Sequence, residues 1–400
     1  MKLGIIREEK VPVDWRVVFS PKQCQEMKNK YPELEIIVQT SDVRCFKDSE
    51  YAEAGFTVQE DISDCDILIG VKEVPIKSII PNKKYVFFSH TYKEQEYNRH
   101  LLQAFIDKKI QFYDHELLKN TKGVRVVMFG KWAGVVGAYN GIRTLGLKYR
   151  AFELPQAYTV DRKSDVEALL KGIELPNIKV VLTGKGHVSS GAKEILVDAN
   201  IKEVSKEDYL NKEFDYPVFV NLGCADYAKR KDGKPFIQMD YFKNPKDFET
   251  TFLPFTNVTD MLITGHYWDQ HAPRLWEVED MKNDNFKLSV IADITCDIEG
   301  SVPSTLRPSI ITEPNYGYSP EFGEVKCLDD DAIAVMAVDN LPCELAKDAS
   351  EDFGAMFIKN VIPALFDGDK DGVLHGAMMT KEGKLTEKYN YLEGFLNAKN

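Results

Sequence analysis

No apolar run in the 400-residue chain approaches the ~18 residues of a membrane span. The opening MKLGIIREEK lacks the apolar core of a secretory signal. Cysteines are few: seven, an odd number without a C-x-x-C pair, which fits reduced thiols better than a disulfide framework. Positive charge is in deficit, with 51 Lys and Arg against 63 Asp and Glu and a net charge of −12. That balance argues against nucleic acid or an anionic membrane as the main partner, and leaves room for a local basic pocket. Internal repeats and Ser/Gly linkers are also absent. What is present is a core: 44% hydrophobic and 11% aromatic residues exclude a disordered chain. The expectation is a cytoplasmic globular protein of two or three domains, acting on small molecules, with its oligomeric state open.

Short β-branched runs alternate with amphipathic stretches, the pattern of βαβ units around parallel sheets. One series of strands is expected at 2–6, 34–39, 66–71, 85–88 and 109–113. A second is expected at 178–183, 201–204, 217–222, 261–264 and 288–294, with a further strand at 332–338 before a helical C-terminal stretch. A helix should begin at Ser20-Pro21, where serine can cap and proline suits the first turn. Between the series, Gly134, Gly137 and Gly141 recur at helical spacing. Glycine weakens a helix relative to alanine, so three together point to close backbone packing, here as a helix wedged between domains.

The strand at 178–183 runs into Gly184-Lys185-Gly186-His187-Val188-Ser189, a G-x-G-x-x-G pattern with serine third, and then an amphipathic helix. In that strand–turn–helix setting the glycines let a pyrophosphate approach backbone N–H groups at the helix N-terminus. Twenty residues on, where a ribose-binding carboxylate is expected for NAD, stand Ser205 and Lys206. They favour NADP(H), with NAD(H) still admissible.

In open α/β sheets ligands gather beyond the carboxyl ends of the strands. The residues after successive N-terminal strands are Arg7-Glu8, Lys72-Glu73, Ser89-His90 and Asp114-His115-Glu116, with Arg125 just beyond. Such a rim suits an amino acid or keto acid. Arginines fix carboxylates, carboxylates hold ammonium groups, and a lysine and histidine pass protons as a carbonyl becomes a carbinolamine and then an imine. Beside a nicotinamide this is hydride transfer at a carbon bearing an amine.

The stretches GVKEVP (70–75), FFSHTYKEQ (87–95), YDHELL (113–118), GVRVVMFGKWAGVVGA (123–138), LTGKGHVSSGA (182–192), ITGHYWDQHAPRL (263–275), ADITCDIEGS (292–301), AVDNLPCELAKDAS (337–350) and KLTEKYNYLEGFL (384–396) resemble the lysine-forming saccharopine dehydrogenases and the lysine–2-oxoglutarate reductase half of the bifunctional enzymes. These lie within the alanine dehydrogenase/transhydrogenase-like superfamily. The resemblance implies an α/β fold of two Rossmann-like domains with parallel sheets and a cleft between them, the first discontinuous (1–130 and 325–400, substrate) and the second at 131–324 (dinucleotide). It implies interconversion of saccharopine with L-lysine and 2-oxoglutarate, with Lys72 and His90 catalytic. Arg16, Glu73, Lys93, Gln95, Glu116 and Arg125 fall on substrate-binding positions. Asp297 and Asp339 match residues near the nicotinamide and the cleft, and Tyr267 and Trp268 are counted with the cofactor residues. The fungal enzymes carry aspartate where Ser205 falls, which again favours NADP(H). Alanine dehydrogenase, another opine-type dehydrogenase and a non-catalytic nucleotide-binding subunit stay open as alternatives. No metal is expected: the half calcium loop Asp367–Gly372 has Met378 at its twelfth position, and His266 and His271 lack partners for zinc.

Overall fold

The structure, a computed structural model, describes residues 1–398. The chain divides into two compact units, Met1–Phe129 with the segment from Ala346 onward, and Gly130–Leu345.

The first unit opens with strands β1 (Lys2–Ile5), β2 (Glu35–Gln39), β3 (Thr57–Gln59), β4 (Ile67–Ile69), β5 (Lys84–Phe87) and β6 (Gln111–Asp114). All pair in parallel, in the spatial order β6-β5-β4-β1-β2-β3. Helix α1 (Pro21–Lys30) starts where the sequence predicts. Ser20 Oγ accepts from Gln23 N–H while the Gln23 side chain accepts from Ser20 N–H, a reciprocal cap with proline in the first turn. Beneath the sheet, Phe87, Phe105 and Phe112 lie with ring centroids 4.3–5.9 Å apart, Phe105 coming from helix α2 (Arg99–Asp107).

The second unit begins with α3 (Gly130–Tyr149), a single helix over the glycine-rich segment. Its strands are β7 (Lys179–Thr183), β8 (Lys202–Glu203), β9 (Val218–Leu222), a small antiparallel pair β10 (Ala228–Arg230) and β11 (Phe248–Thr250), then β12 (Met261–Thr264), β13 (Val290–Asp293), β14 (Asn315–Ser319), β15 (Gly323–Val325) and β16 (Ile333–Met336). The main sheet runs β15-β14-β16-β13-β12-β7-β9-β8, parallel except for β14 and β15. Helix α4 (His187–Asp198) follows the glycine turn. It meets α3 backbone to backbone: a Cβ on Gly134 would sit 1.8 Å from the Val188 carbonyl oxygen, and one on Gly191 would sit 2.0 Å from that of Lys131. A Cβ on Gly137 or Gly141 would meet the Ile294 or Ala292 side chain at 2.5 or 2.8 Å. The glycines serve close packing, as expected, but within this unit.

Two expectations are corrected. The segment 325–345 does not return to the first unit, because β16 pairs in parallel with β13 at the heart of the second sheet. The C-terminal stretch is not all helical. After α5 (Ala346–Asn360), β17 (Met378–Lys381) pairs antiparallel with β6, and β18 (Lys384–Leu385) folds back on it. Glu382 and Gly383 both have φ > 0, the conformation of a two-residue hairpin turn.

Candidate active site and dinucleotide turn

The parallel strands β6, β5, β4 and β1 deliver their following residues to one edge of the first unit. After β5 the chain turns sharply, with His90 in the left-handed region at φ 58°. A non-glycine residue is held there only by its surroundings, and here the holder is Asp114, fully buried at the end of β6. Its Oδ2 accepts from Ser89 N–H (2.9 Å), Ser89 Oγ–H (2.7 Å) and His90 N–H (3.2 Å), and its Oδ1 accepts from Glu116 N–H (2.8 Å).

Four side chains then converge on the Glu116 carboxylate: His90 Nδ1 at 3.1 Å, Lys93 Nζ at 2.9 Å, the Tyr92 hydroxyl at 2.8 Å and an Arg125 Nη at 3.2 Å. Burial pushes the Glu116 carboxyl up, but the bonds from His90, Lys93 and Tyr92 outweigh it and hold the group well below the usual range. An ionised Glu116 makes His90 Nδ1 the donor, which leaves Nε2 to take or give a proton. Arg125 is further fixed by its bond to the Val127 carbonyl and lies over the Phe88 ring. Gln95 is not drawn in: it is exposed and accepts from Tyr97.

Lys72 and Glu73 follow β4. Glu8, buried after β1, accepts from Val71 N–H (2.6 Å) and Lys72 N–H (2.7 Å), so one carboxylate fixes the backbone that carries the lysine. Burial, then the charge of Asp14, pushes Glu8 up to about 8 against those bonds. Desolvation lowers Lys72 to about 8, and the Arg16 and Lys10 charges add to it. Arg16 itself is buried in a two-pronged pair with Asp14 (2.9 and 2.6 Å) and lies over Phe129, so its fork is turned onto a protein carboxylate. Glu73 pairs with Lys10 at 3.1 Å. His115, left without a role by the sequence, is a core residue. Burial pushes it down to about 3, and its Nε2 donates to the Gly70 carbonyl just before Lys72.

In the second unit β7, β12, β13 and β16 also end on one edge. Gly184 has φ +92°, and a Cβ there would meet the Gly265 carbonyl oxygen at 2.4 Å, so only glycine fits. Gly186 is the opposite case, with nothing within 4 Å of a notional Cβ, at the start of the 12-residue helix α4 that His187 and Val188 open. That open cradle of backbone N–H groups at a helix N-terminus suits a pyrophosphate. Ser189 is buried and accepts from the Asn221 amide. His266 is buried against the Thr183 hydroxyl (2.6 Å) and pushed down to about 4 by burial. Tyr267 is exposed, Trp268 donates to the Pro273 carbonyl, and Asp339 is exposed after β16. Asp297 is exposed, and desolvation and the Asp293 charge raise its carboxyl. The sequence passed over Asp293, which is fully buried at the end of β13 and accepts from the hydroxyls of Thr264, Thr295 and Thr305. Ser205 and Lys206 do not stand beside the glycine turn in strand order, because β9 and not β8 is the neighbour of β7. No cluster that could hold a metal occurs among the described residues, and none of their helices is long and apolar enough to cross a membrane.

A family model for the alanine dehydrogenase/PNT N-terminal domain matches residues 4–136. An L-alanine dehydrogenase superposes with a TM-score of 0.67 at 16% identity, over 99% of both chains, and this likeness establishes a two-unit Rossmann-like fold. In sequence the chain is 28% identical to the alpha-aminoadipic semialdehyde synthase of Arabidopsis thaliana, over 98% of its own length and 41% of that protein. It is also 28% identical to the mitochondrial alpha-aminoadipic semialdehyde synthase of Bos taurus, over 98% of its length and 47% of the relative. The saccharopine dehydrogenase (NAD(+), L-lysine-forming) of Yarrowia lipolytica is 25% identical over 89% of this chain and 90% of that one. The chain thus spans less than half the length of the two synthases. In fold the chain is similar to an L-alanine dehydrogenase, and in sequence it is similar to alpha-aminoadipic semialdehyde synthases and to lysine-forming saccharopine dehydrogenases.

Proposed function

We propose that the protein is an NAD(P)-dependent oxidoreductase that interconverts saccharopine with L-lysine and 2-oxoglutarate, with the first unit handling substrate and the second the dinucleotide. The observation that carries this reading is the Glu116-anchored His90, one parallel strand away from a lysine whose ammonium is destabilised. In the condensing direction the ε-amine of lysine must be neutral to attack the ketone, and Lys72, lowered to about 8, is able to take its proton near neutral pH. His90, with Nδ1–H committed to Glu116, offers Nε2 to the carbinolamine oxygen as it leaves as water, and the two roles are exchangeable. Arg125 and Lys93 suit substrate carboxylates, and Glu73 and Glu116 suit an amino group. Gln95 belongs to the same strand-end turn. Arg16 acts on Lys72 through its charge. When bound, the dinucleotide supplies or accepts the hydride at the carbon that carries the nitrogen. Gly184, Gly186, His187, Val188 and Ser189 would hold its pyrophosphate, with Tyr267, Trp268, Asp297 and Asp339 at neighbouring strand ends. NADP(H) is the favoured form, and a reducing compartment such as the cytoplasm agrees with the seven free cysteines.

The test is absorbance-monitored oxidation of NADPH and of NADH with L-lysine plus 2-oxoglutarate, set beside pyruvate plus ammonia. Lysine-dependent oxidation is expected. Oxidation only with pyruvate and ammonia moves the protein to alanine dehydrogenase, and cofactor binding without turnover on either pair refutes the saccharopine reading.

A further inference from the structure

The step from β7 to its spatial neighbour is unusual in this chain. Counting from Gly184 leads to the end of β8, but β8 is a two-residue edge strand, and both of its residues are exposed. The strand beside β7 is β9. Thr183 is in register with Leu222, and Gly184 N–H donates to the Leu222 carbonyl at 2.7 Å, so the glycine turn and the end of β9 lie at one level. In a doubly wound sheet a dinucleotide held at the first turn extends its adenosine ribose over the end of the strand on that side. Ser205 is occupied elsewhere, capping a short helix through Asp208 N–H.

The end of β9 is a charged cluster. The Lys185 ammonium, inside the glycine turn, donates to the backbone carbonyl and side-chain oxygen of Asn221 at 2.6 and 3.1 Å. Its stem crosses Gly223, where a Cβ would meet it at 3.4 Å. Asp226 reaches back to the same glycine, accepting from Gly223 N–H at 2.9 Å, and its other oxygen pairs with Lys206 Nζ at 2.8 Å. Lys206, the first residue of the short helix that Ser205 caps, is thereby drawn toward the end of β9 by the carboxylate there. Both oxygens of Asp226 already accept a strong donor, whereas two ammonium groups flank it and leave the cluster with one excess positive charge.

We propose that Lys185 and Lys206, with Asp226 as the anchor that positions Lys206, form the subsite that reads the 2′ position of the adenosine ribose and selects a 2′-phosphate over a 2′-hydroxyl. A phosphate there gains two charge-assisted partners, while a hydroxyl gains neither charge. The inference rests on the second unit binding a dinucleotide, and its test separates the two.

Calorimetric titration with 2′,5′-ADP and with 5′-AMP probes the adenosine half alone, and NADPH and NADH fluorescence reports the whole dinucleotide. The native protein is expected to bind 2′,5′-ADP about 10-fold or more tightly than 5′-AMP, with a preference that shrinks as salt rises. Lys206→Ala and Lys185→Ala should each remove most of that preference and leave 5′-AMP binding within about twofold, since only the phosphate contact is lost. Asp226→Asn, which keeps an acceptor for Gly223 but loses the charge that holds Lys206, should weaken the preference for the phosphate and leave 5′-AMP binding within about twofold. Equal binding of the two probes by the native protein overturns the inference, as does an Asp226→Asn variant that loses NADH selectively, because Asp226 would then hold the ribose diol. Failure to bind either NADPH or NADH would instead remove the dinucleotide reading on which the inference stands.

Discussion

The two units share one architecture and decorate it in opposite ways. Each is a mostly parallel eight-stranded sheet with its loops gathered at the strand carboxyl ends. In the first, those ends carry Glu8, Lys72, His90, Asp114 and Glu116, several of them buried and each held by a named partner. In the second, the innermost ends carry Gly184, Gly186, Gly265 and hydroxyl groups, three of which hold a buried carboxylate, Asp293, with further charge toward the margin. A charged, partly desolvated edge moves protons, because desolvation and neighbouring charges shift its groups toward working pH. An edge of glycines and backbone N–H groups holds a phosphate without titrating. The proposed division of labour follows from which side chains the same strand ends display.

The largest expected effect comes from removing a proton carrier. Lys72→Met should slow lysine-dependent turnover by about 100-fold or more while leaving NADPH affinity unchanged, as fits loss of an acid–base group in one unit only. Steady-state kinetics and fluorescence titration on the same preparation check this, and near-native turnover would take Lys72 out of the mechanism.

Two glycines of the second unit sharpen the contrast between packing and binding. Gly134→Ala places a methyl 1.8 Å from the Val188 carbonyl oxygen, with backbone on both sides. It should lower stability by about 3 kcal/mol, at the upper end of overpacking costs. Gly186→Ala meets nothing within 4 Å and has φ −96°, accessible to any residue. Its melting temperature should stay native while NADPH affinity falls by about 10-fold, because the methyl occupies the space where a pyrophosphate would approach. If both variants lost stability equally, the cradle would be a packing feature.

The smallest expected effect is a pH dependence. Glu8 has an ordinary value of 4.5 and stands at about 8 in the fold, so between those limits the folded state binds more protons than the unfolded. Its contribution to stability is fully present below about 4.5 and is lost as pH rises to about 8. Glu8→Gln, which cannot ionise, should flatten the denaturation midpoint against pH across that window. An unchanged slope would show that Glu8 does not titrate there.

Much of this was legible in the sequence, and what was not has physical reasons. Lys72, His90, Glu116 and the glycine turn could be read because each follows a β-branched run, and strand ends are where parallel sheets expose their loops. Asp14 escaped notice because its role is a pairing with Arg16, and Asp114, though named on the rim, received no role because its work is done mainly on backbone N–H groups after another strand. Counting along the chain lands on the edge strand β8 and not on β9, where we propose the ribose sits, because such a count assumes that the next strand in sequence is the next in space. A signal was present: PVFVNL is apolar enough for an inner strand, whereas IKEV carries the charges of an edge. The hairpin of β17 and β18 was hidden in a polar segment, although Glu382-Gly383 between MMTK and KL is itself a turn pattern.

The central claim is that the first unit's charged edge joins an amine to a keto acid and the second unit's glycine edge holds the reductant. It is tested most directly by mass spectrometry of the mixture of L-lysine, 2-oxoglutarate and NADPH after incubation with the native protein and with Lys72→Met. The account predicts a product equal to lysine plus 2-oxoglutarate, less water and with two hydrogens added, formed by the native protein and nearly absent with a variant that still binds NADPH. No such product from a native protein that binds NADPH, or equal product from both proteins, would contradict it.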